Sequence, residues 1–241
     1  MSVSIGHVLV TGAAKRIGRV IALHMAMAGW DVTVHCHISS VEAEDTVRAI
    51  RALGRKAQVV QADFANSREV EALIPSITAD AGPLTALVNN ASLFEPNKND
   101  PDGTRHRAVN YEAPCRLSEH FLRQLPPNEV GAIVNLLEAT PIPASFSGYL
   151  TSKKLLRKAT LSLARSMAPQ VRVNAVAPGA VLMGPRESSA HFESLVAATP
   201  LKTETSPQSV AASVLFLIEN PSITGEIIFV DGGAHLRRAK S

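Results

Sequence analysis

The sequence predicts one doubly wound α/β domain, with seven parallel strands in an open sheet and helices on both faces. Three observations carry this. Short β-branched runs alternate with longer amphipathic stretches along the whole chain. The strand-like runs are nearly all apolar, as they must be where helices cover both faces of a sheet. The stretches between them are long enough to be right-handed crossovers joining parallel strands.

Strands are expected at 7–10, 31–35, 57–61, 86–88, 132–136, 171–176 and 226–230. After the first, Ile17, Ile21 and Met25 recur every four residues, giving a helix one apolar face for the sheet. Leu156, Thr160 and Ala164 repeat that spacing within a long helix expected over 146–167. Another long helix is expected over 106–125, and a last one over 208–218. The interval 181–207 breaks the alternation: it is polar and irregular, with Gly184, Pro185, Pro200 and Pro207. Compact domains rarely keep structureless loops this long, so the insertion reads as a flap over a site.

A chain of 241 residues can bury a sizeable core in one domain. With 46% hydrophobic and 19% charged residues it has the balance of a soluble globular protein. The 24 Lys+Arg against 21 Asp+Glu leave a net charge of +3, and Arg237, Arg238 and Lys240 cluster near the end. Nucleic-acid surfaces need basic stripes with interleaved aromatics. One Trp, two Tyr and seven Phe supply no such surface, so no nucleic-acid partner is expected. Nor is a membrane partner, because no run reaches about 18 apolar residues. The first ten residues lack the features of a signal peptide. Cys36 and Cys115 cannot staple a fold of this size, which points to a reducing cytoplasm. No metal site is expected.

Directly after the first strand comes Thr11-Gly12-Ala13-Ala14-Lys15-Arg16-Ile17-Gly18, opening into a helix. Glycine there lets the backbone turn sharply, and the helix N-terminus offers free N–H groups to a pyrophosphate. This is the phosphate turn of a Rossmann-type dinucleotide site. An NAD site keeps an acid about 20 residues further on for the ribose hydroxyls. Here that region reads His35-Cys36-His37-Ile38-Ser39-Ser40, and the first carboxylate after it is Glu42. Lys15, His37, Ser39 and Ser40 would instead meet a 2′-phosphate, so NADPH (NADP) is the expected cofactor.

Of the two tyrosines, Tyr149 has Lys153 four residues on, which places both side chains on one helix face. A phenol is a poor acid–base group at neutral pH, and a neighbouring ammonium brings its pKa toward the working range.

Thr11 to Gly18, Asn89-Asn90-Ala91, Asn110, Tyr149 with Lys153, Pro178-Gly179, Thr224-Gly225 and Asp231-Gly232-Gly233 fall in order at strand ends. Over essentially its whole length this pattern resembles the short-chain dehydrogenase/reductase family. The resemblance implies that Tyr149 is the proton donor, that Lys153 lowers its pKa and grips the nicotinamide ribose, and that Asn110 helps hold a relay water. It places Asn90 against the cofactor and Asp63 near the adenine. Gly12, Lys15, Arg16, Ile17, Gly18, Ala91, Pro178 and Gly179 complete the implied cofactor contacts. A homotetramer is also implied, with the two long helices as candidate interfaces.

One departure from the family pattern is informative. The usual fourth catalytic residue is a serine at the end of strand five, and Asn135-Leu136-Leu137-Glu138 puts Glu138 there. A carboxyl beside a phenol suits carrying a proton to a ring nitrogen as hydride reaches the adjacent carbon of a C=N bond. Burial would raise its pKa and keep it partly protonated. Pteridine reductases carry an acid at this location. The phosphate turn, His35-Cys36-His37 and Asn89-Asn90-Ala91-Ser92-Leu93-Phe94 also resemble them and their dihydromonapterin-reductase relatives, although Ile38 stands where those enzymes place an arginine. The ending from Gly232 to Arg237 looks like the dihydromonapterin branch. The resemblance implies that Ser92 and Arg16 contact a pterin and that Phe94 stacks on it.

The function expected is therefore NADPH-dependent reduction of a dihydropterin, dihydromonapterin or dihydrofolate-like substrate. Two rivals stand beside it: a carbonyl reductase of a ketoacyl thioester or other ketone, and a non-catalytic dinucleotide sensor.

Overall fold

The computed structural model describes residues 5–140, 142–183 and 188–236. Gly184 and Pro185 of the flap, and Arg237, Arg238 and Lys240, lie outside the described residues. The elements run β1 (His7–Val10), α1 (Arg16–Met27), β2 (Asp31–Cys36), α2 (Ser40–Ala52), β3 (Ala57–Gln61), α3 (Ser67–Ala81) and β4 (Ala86–Asn89). The chain continues with α4 (Thr104–Arg107), a π turn (Ala108–Glu112), α5 (Ala113–Gln124), β5 (Gly131–Leu136), α6 (Ser147–Ser166) and β6 (Val171–Pro178). It ends with α7 (Ser189–Ala197), α8 (Pro207–Glu219) and β7 (Ile227–Val230).

The seven strands form one sheet in the order β3-β2-β1-β4-β5-β6-β7, and every neighbouring pair is parallel. The chain winds outward from β1 to β3, then crosses back to lay β4 against the other edge of β1. That reversal opens a crevice at the carboxyl ends of β1 and β4, where doubly wound sheets bind ligands.

Period-two alternation divides the core between the two faces. Val8 and Val10 point with Val34, Val88 and Val134 toward α1, α2 and α8, where Ile21, Met25, Val47, Ile50, Val214 and Leu217 are buried. Leu9 points the other way with Leu87 and Ile133, against Leu73, Ile77, Leu117 and Phe121 of α3 and α5. Each such side chain contributes about 1.5–3 kcal/mol by leaving water.

Two elements differ from expectation. The helix expected over 106–125 is α4 and α5 joined by the π turn, whose wider winding carries Asn110 inward to full burial. The interval 181–207 is not wholly irregular, because it contains α7, with the Ser188 hydroxyl accepting the His191 N–H. Glycine and proline on both sides masked this nine-residue helix in the sequence.

Candidate active site

The phosphate turn is fixed by buried polar contacts. Gly12 takes a positive φ of 63° and donates its N–H to His35 Nδ1 at 3.1 Å. His35 Nε2 lies 3.1 Å from the Ala62 carbonyl, and the ring stacks on Phe64. Burial pushes the His35 pKa down to about 4. The ring is therefore neutral at ordinary pH, with Nδ1 accepting and Nε2–H donating. Asn90 Nδ2 donates to the carbonyls of Thr11 (2.8 Å) and Gly12 (3.2 Å). At Gly18 a Cβ would stand 2.3 Å from the Gly12 oxygen and 2.5 Å from Asn90 Nδ2, so only glycine lets α1 start this close to the turn. The residue before α1, Lys15, makes no side-chain cap, which leaves the first N–H groups of the helix for an anion.

A groove of about 490 Å³ runs over this turn. It is lined by Gly12, Lys15, Arg16, Ile17, Gly18, His37, Asp63, Asn90, Ala91 and Ser92, all singled out in the sequence. Phe64, Arg105 and Val109 also line it and had no sequence signal, and His35 lines it too, marked in the sequence only as part of His35-Cys36-His37 and without a role. Ser39 and Ser40 are not part of this lining; they begin α2. Lys15 pairs with Glu42 at 2.6 Å, and His37 Nε2 stands 3.8 Å from Asp63. Arg16 has a positive φ of 53°, and its guanidinium donates to the carbonyls of Leu182 (2.9 Å) and Met183 (3.1 Å). It thus ties the phosphate turn to the start of the flap.

A second cavity, of about 140 Å³, shares Ile17, Asn90 and Ser92 with the groove and adds Leu136, Leu137, Glu138, Tyr149, Lys153, Pro178 and Gly179. Tyr149 Oη donates to Glu138 Oε2 at 2.8 Å, and the other carboxylate oxygen accepts the Thr140 N–H at 2.7 Å. Lys153 Nζ donates to the Leu136 carbonyl at 2.9 Å and sits 5.7 Å from the Tyr149 ring centroid. Burial raises the Glu138 pKa against the pull of hydrogen bonds from Thr140 and Tyr149. Tyr149 is held well above the ordinary phenol value by burial and by the charge of Glu138. Lys153 comes down to about 8 through burial. The phenol is therefore raised, where the sequence reading has Lys153 lowering it, because burial and then the charge of Glu138, hydrogen-bonded to the hydroxyl, both disfavour the phenolate. The pair retains a proton.

Asn110 uses its whole amide on protein groups. Nδ2 donates to the Leu93 carbonyl (2.9 Å) and Ser152 Oγ (3.0 Å), while Oδ1 accepts from the Leu93 N–H (2.7 Å) and Ser92 Oγ (3.2 Å). Two donors and two lone pairs are then spent, so the side chain fastens the loop after β4 to α6 and keeps no site for a relay water. Phe94 is 52% exposed, stacked on Phe146 (4.6 Å between centroids) and edge-on to Tyr149 (4.8 Å). It lines neither cavity, but its contact with Tyr149 sets it beside the smaller one and its exposure keeps it out of the core. Beneath that loop lie two buried residues without a sequence signal. His106 Nδ1 is 2.5 Å from Asp100, and His106 Nε2 accepts the Glu95 N–H at 3.3 Å. Among the described residues no cluster of three or more His, Cys, Asp or Glu is placed to hold a metal, and no helix is long and apolar enough to cross a membrane.

Fold and site together define an oxidoreductase of the short-chain dehydrogenase/reductase family. The chain belongs to it: the family model described as enoyl-(acyl carrier protein) reductase matches residues 12–235. A crystal structure of FolM alternative dihydrofolate reductase 1 from Brucella canis, complexed with NADP, is 37% identical with a TM-score of 0.92, covering 99% of this chain and 97% of that one. The 3-oxoacyl-(acyl-carrier-protein) reductase FabG of Staphylococcus aureus is 33% identical, over 95% of this chain and 97% of its own. The angucycline C-6 ketoreductase LanV, with bound NADP, is 27% identical with a TM-score of 0.87, over 97% of each chain.

Proposed function

We propose that the protein is an NADPH-dependent reductase of a C=N bond in a pterin, of the dihydropterin, dihydromonapterin or dihydrofolate-like class. The observation that carries this is the hydrogen bond between Tyr149 and Glu138 at the wall of the smaller cavity. The FolM neighbour, a dihydrofolate reductase by name, supports the same reading.

The residues present fit the dinucleotide. The helix start at Lys15 is uncapped, and Gly18 clears the backbone above it. No carboxylate ends β2, and Asp31 at its other end faces Arg55 at 3.6 Å. Lys15 supplies positive charge and His37 a polar ring for a 2′-phosphate, and the solved neighbours hold NADP.

Bound there, the nicotinamide supplies a hydride to the ring carbon of the substrate. The chain's own residues manage the proton. Tyr149 gives its phenolic proton to the adjacent ring nitrogen, and Glu138 in its protonated form, which burial favours, replaces it across the hydrogen bond. Lys153 fixes the position of the ribose and compensates the transient negative charge on the pair. Phe94 offers a flat apolar edge beside Tyr149, Ser92 lines both cavities, and Arg16 lines the groove.

The relatives named ketoacyl reductase and ketoreductase favour a second reading, in which the substrate is a ketone. Glu138 opposes it, since it stands where a serine would donate to a carbonyl oxygen, and in its ionised form it would repel the alkoxide that develops there. NADPH oxidation measured with dihydrobiopterin, dihydromonapterin and an acetoacetyl thioester separates the two. Turnover of the pterins is the expected result, and turnover of the thioester alone overturns the reading.

A further inference from the structure

The cation best placed for the 2′-phosphate already has a partner. Lys15 lies at the start of α1, lines the groove, and holds Glu42 at 2.6 Å. Glu42 sits in the first turn of α2, whose flanking Ser39 makes no side-chain cap, so the uncapped N–H groups of that helix open beside it. The nearby groove-lining ring of His37 faces Asp63 at 3.8 Å. Ile38, which follows it, is 80% exposed and adds no charge. The lysine charge at this end of the groove is therefore balanced by a carboxylate within the chain.

We propose that Glu42 is an internal stand-in for the 2′-phosphate, competing with it for Lys15, and that it sets the margin by which the protein prefers NADP over NAD. This rests on the NADP reading above. Lys15 and Glu42 are both about half-exposed, with side chains 51% and 43% accessible, and an ion pair in that setting is weak. A phosphate monoester carrying nearly two negative charges displaces such a partner readily. Displacement does not remove Glu42, which stays on α2 as a like charge facing the phosphate. Its cost falls on the phosphorylated dinucleotide alone, because without the 2′-phosphate nothing competes for Lys15. Glu42 thus narrows the preference without touching the hydride chemistry.

Calorimetric titration of NADP+ and NAD+ into the wild type, Glu42→Gln, Lys15→Gln and the double variant tests this. The expected result is that Glu42→Gln tightens NADP+ about three- to ten-fold, as loss of a weak exposed pair and one repulsive charge implies, and leaves NAD+ unchanged. In the Lys15→Gln background the same change should gain less than about half as much on the same scale. Equal shifts for both dinucleotides, no shift for NADP+, or weaker NAD+ binding in Glu42→Gln would overturn the proposal. A wild type that binds NAD+ more tightly than NADP+ would instead refute the cofactor reading beneath it. Melting temperatures without ligand show that the variants are folded.

Discussion

Tyr149 Oη donates to Glu138 Oε2 across 2.8 Å, eleven residues apart in sequence but adjacent because β5 ends where α6 begins. Burial raises the pKa of both; the charge of Glu138 raises Tyr149 further, while the hydrogen bond from Tyr149 pulls Glu138 back down. Removing the phenol should therefore abolish proton delivery while sparing the groove. Tyr149→Phe is expected to lower kcat by about 10²–10⁴-fold with unchanged NADP+ affinity by calorimetry. A variant that binds NADP+ normally and loses no rate would show that Tyr149 is not the proton donor, and a wild type that binds NADP+ but turns over no substrate would mark the protein as a dinucleotide sensor.

The same pair fixes a pH dependence. Delivery needs Glu138 protonated, and burial holds its pKa above the ordinary carboxylate value. The rate should fall as pH rises through that raised value. In kcat/KM a further decline is expected above about 8, where Lys153 loses its charge. Glu138→Gln should remove the first decline, leave the second, and lower the plateau. Stopped-flow rates between pH 5 and pH 9, values chosen to bracket about two units on either side of neutrality, check this.

His35 links acid to the phosphate turn. Its folded pKa of about 4 lies below the ordinary 6.5. Above pH 6.5 both folded and unfolded chains hold it neutral, and it costs nothing. Below 6.5 the unfolded chain takes up the proton first, so stability falls with pH until about 4, where the loss is complete. At 1.36 kcal/mol per pKa unit the loss is about 3 kcal/mol. Urea unfolding across this range should show a slope that His35→Gln reduces by about one proton, the remainder coming from groups such as His7, which burial also lowers; an unchanged slope would assign the acid sensitivity elsewhere.

Arg16 joins the phosphate turn to the flap through Leu182 and Met183. Arg16→Ala should speed hydrogen exchange in the segments flanking α7 and raise the KM of the second substrate about ten-fold, with kcat lowered less. Loss confined to NADPH affinity would show that the guanidinium serves the cofactor and not the flap.

The strands were legible because most are short β-branched runs closed by a glycine, proline or polar residue, and β1 and β3 begin and end as expected. Tyr149 and Lys153 were legible because four-residue spacing is local. Glu138 stood out because it occupies a position where the family keeps serine. What stayed hidden depends on groups far apart in sequence. His35 accepts from Gly12 across 23 residues, and Arg16 reaches Met183 across 167. Lys15 is occupied by a glutamate from the next helix. The π turn at Asn110 was hidden for another reason, since its residues fit an α-helical pattern equally well and tertiary hydrogen bonds select the wider winding.

The most direct test of proton delivery by Glu138 is the specificity ratio, kcat/KM for dihydropterin over kcat/KM for an acetoacetyl thioester, in the wild type and in Glu138→Ser. A serine donates to a carbonyl oxygen and cannot resupply a proton to a ring nitrogen. The ratio should fall by about 100-fold or more on the substitution, within the range general acid catalysis contributes. A ratio that stays the same, or rises, would contradict a role for Glu138 in choosing C=N over C=O.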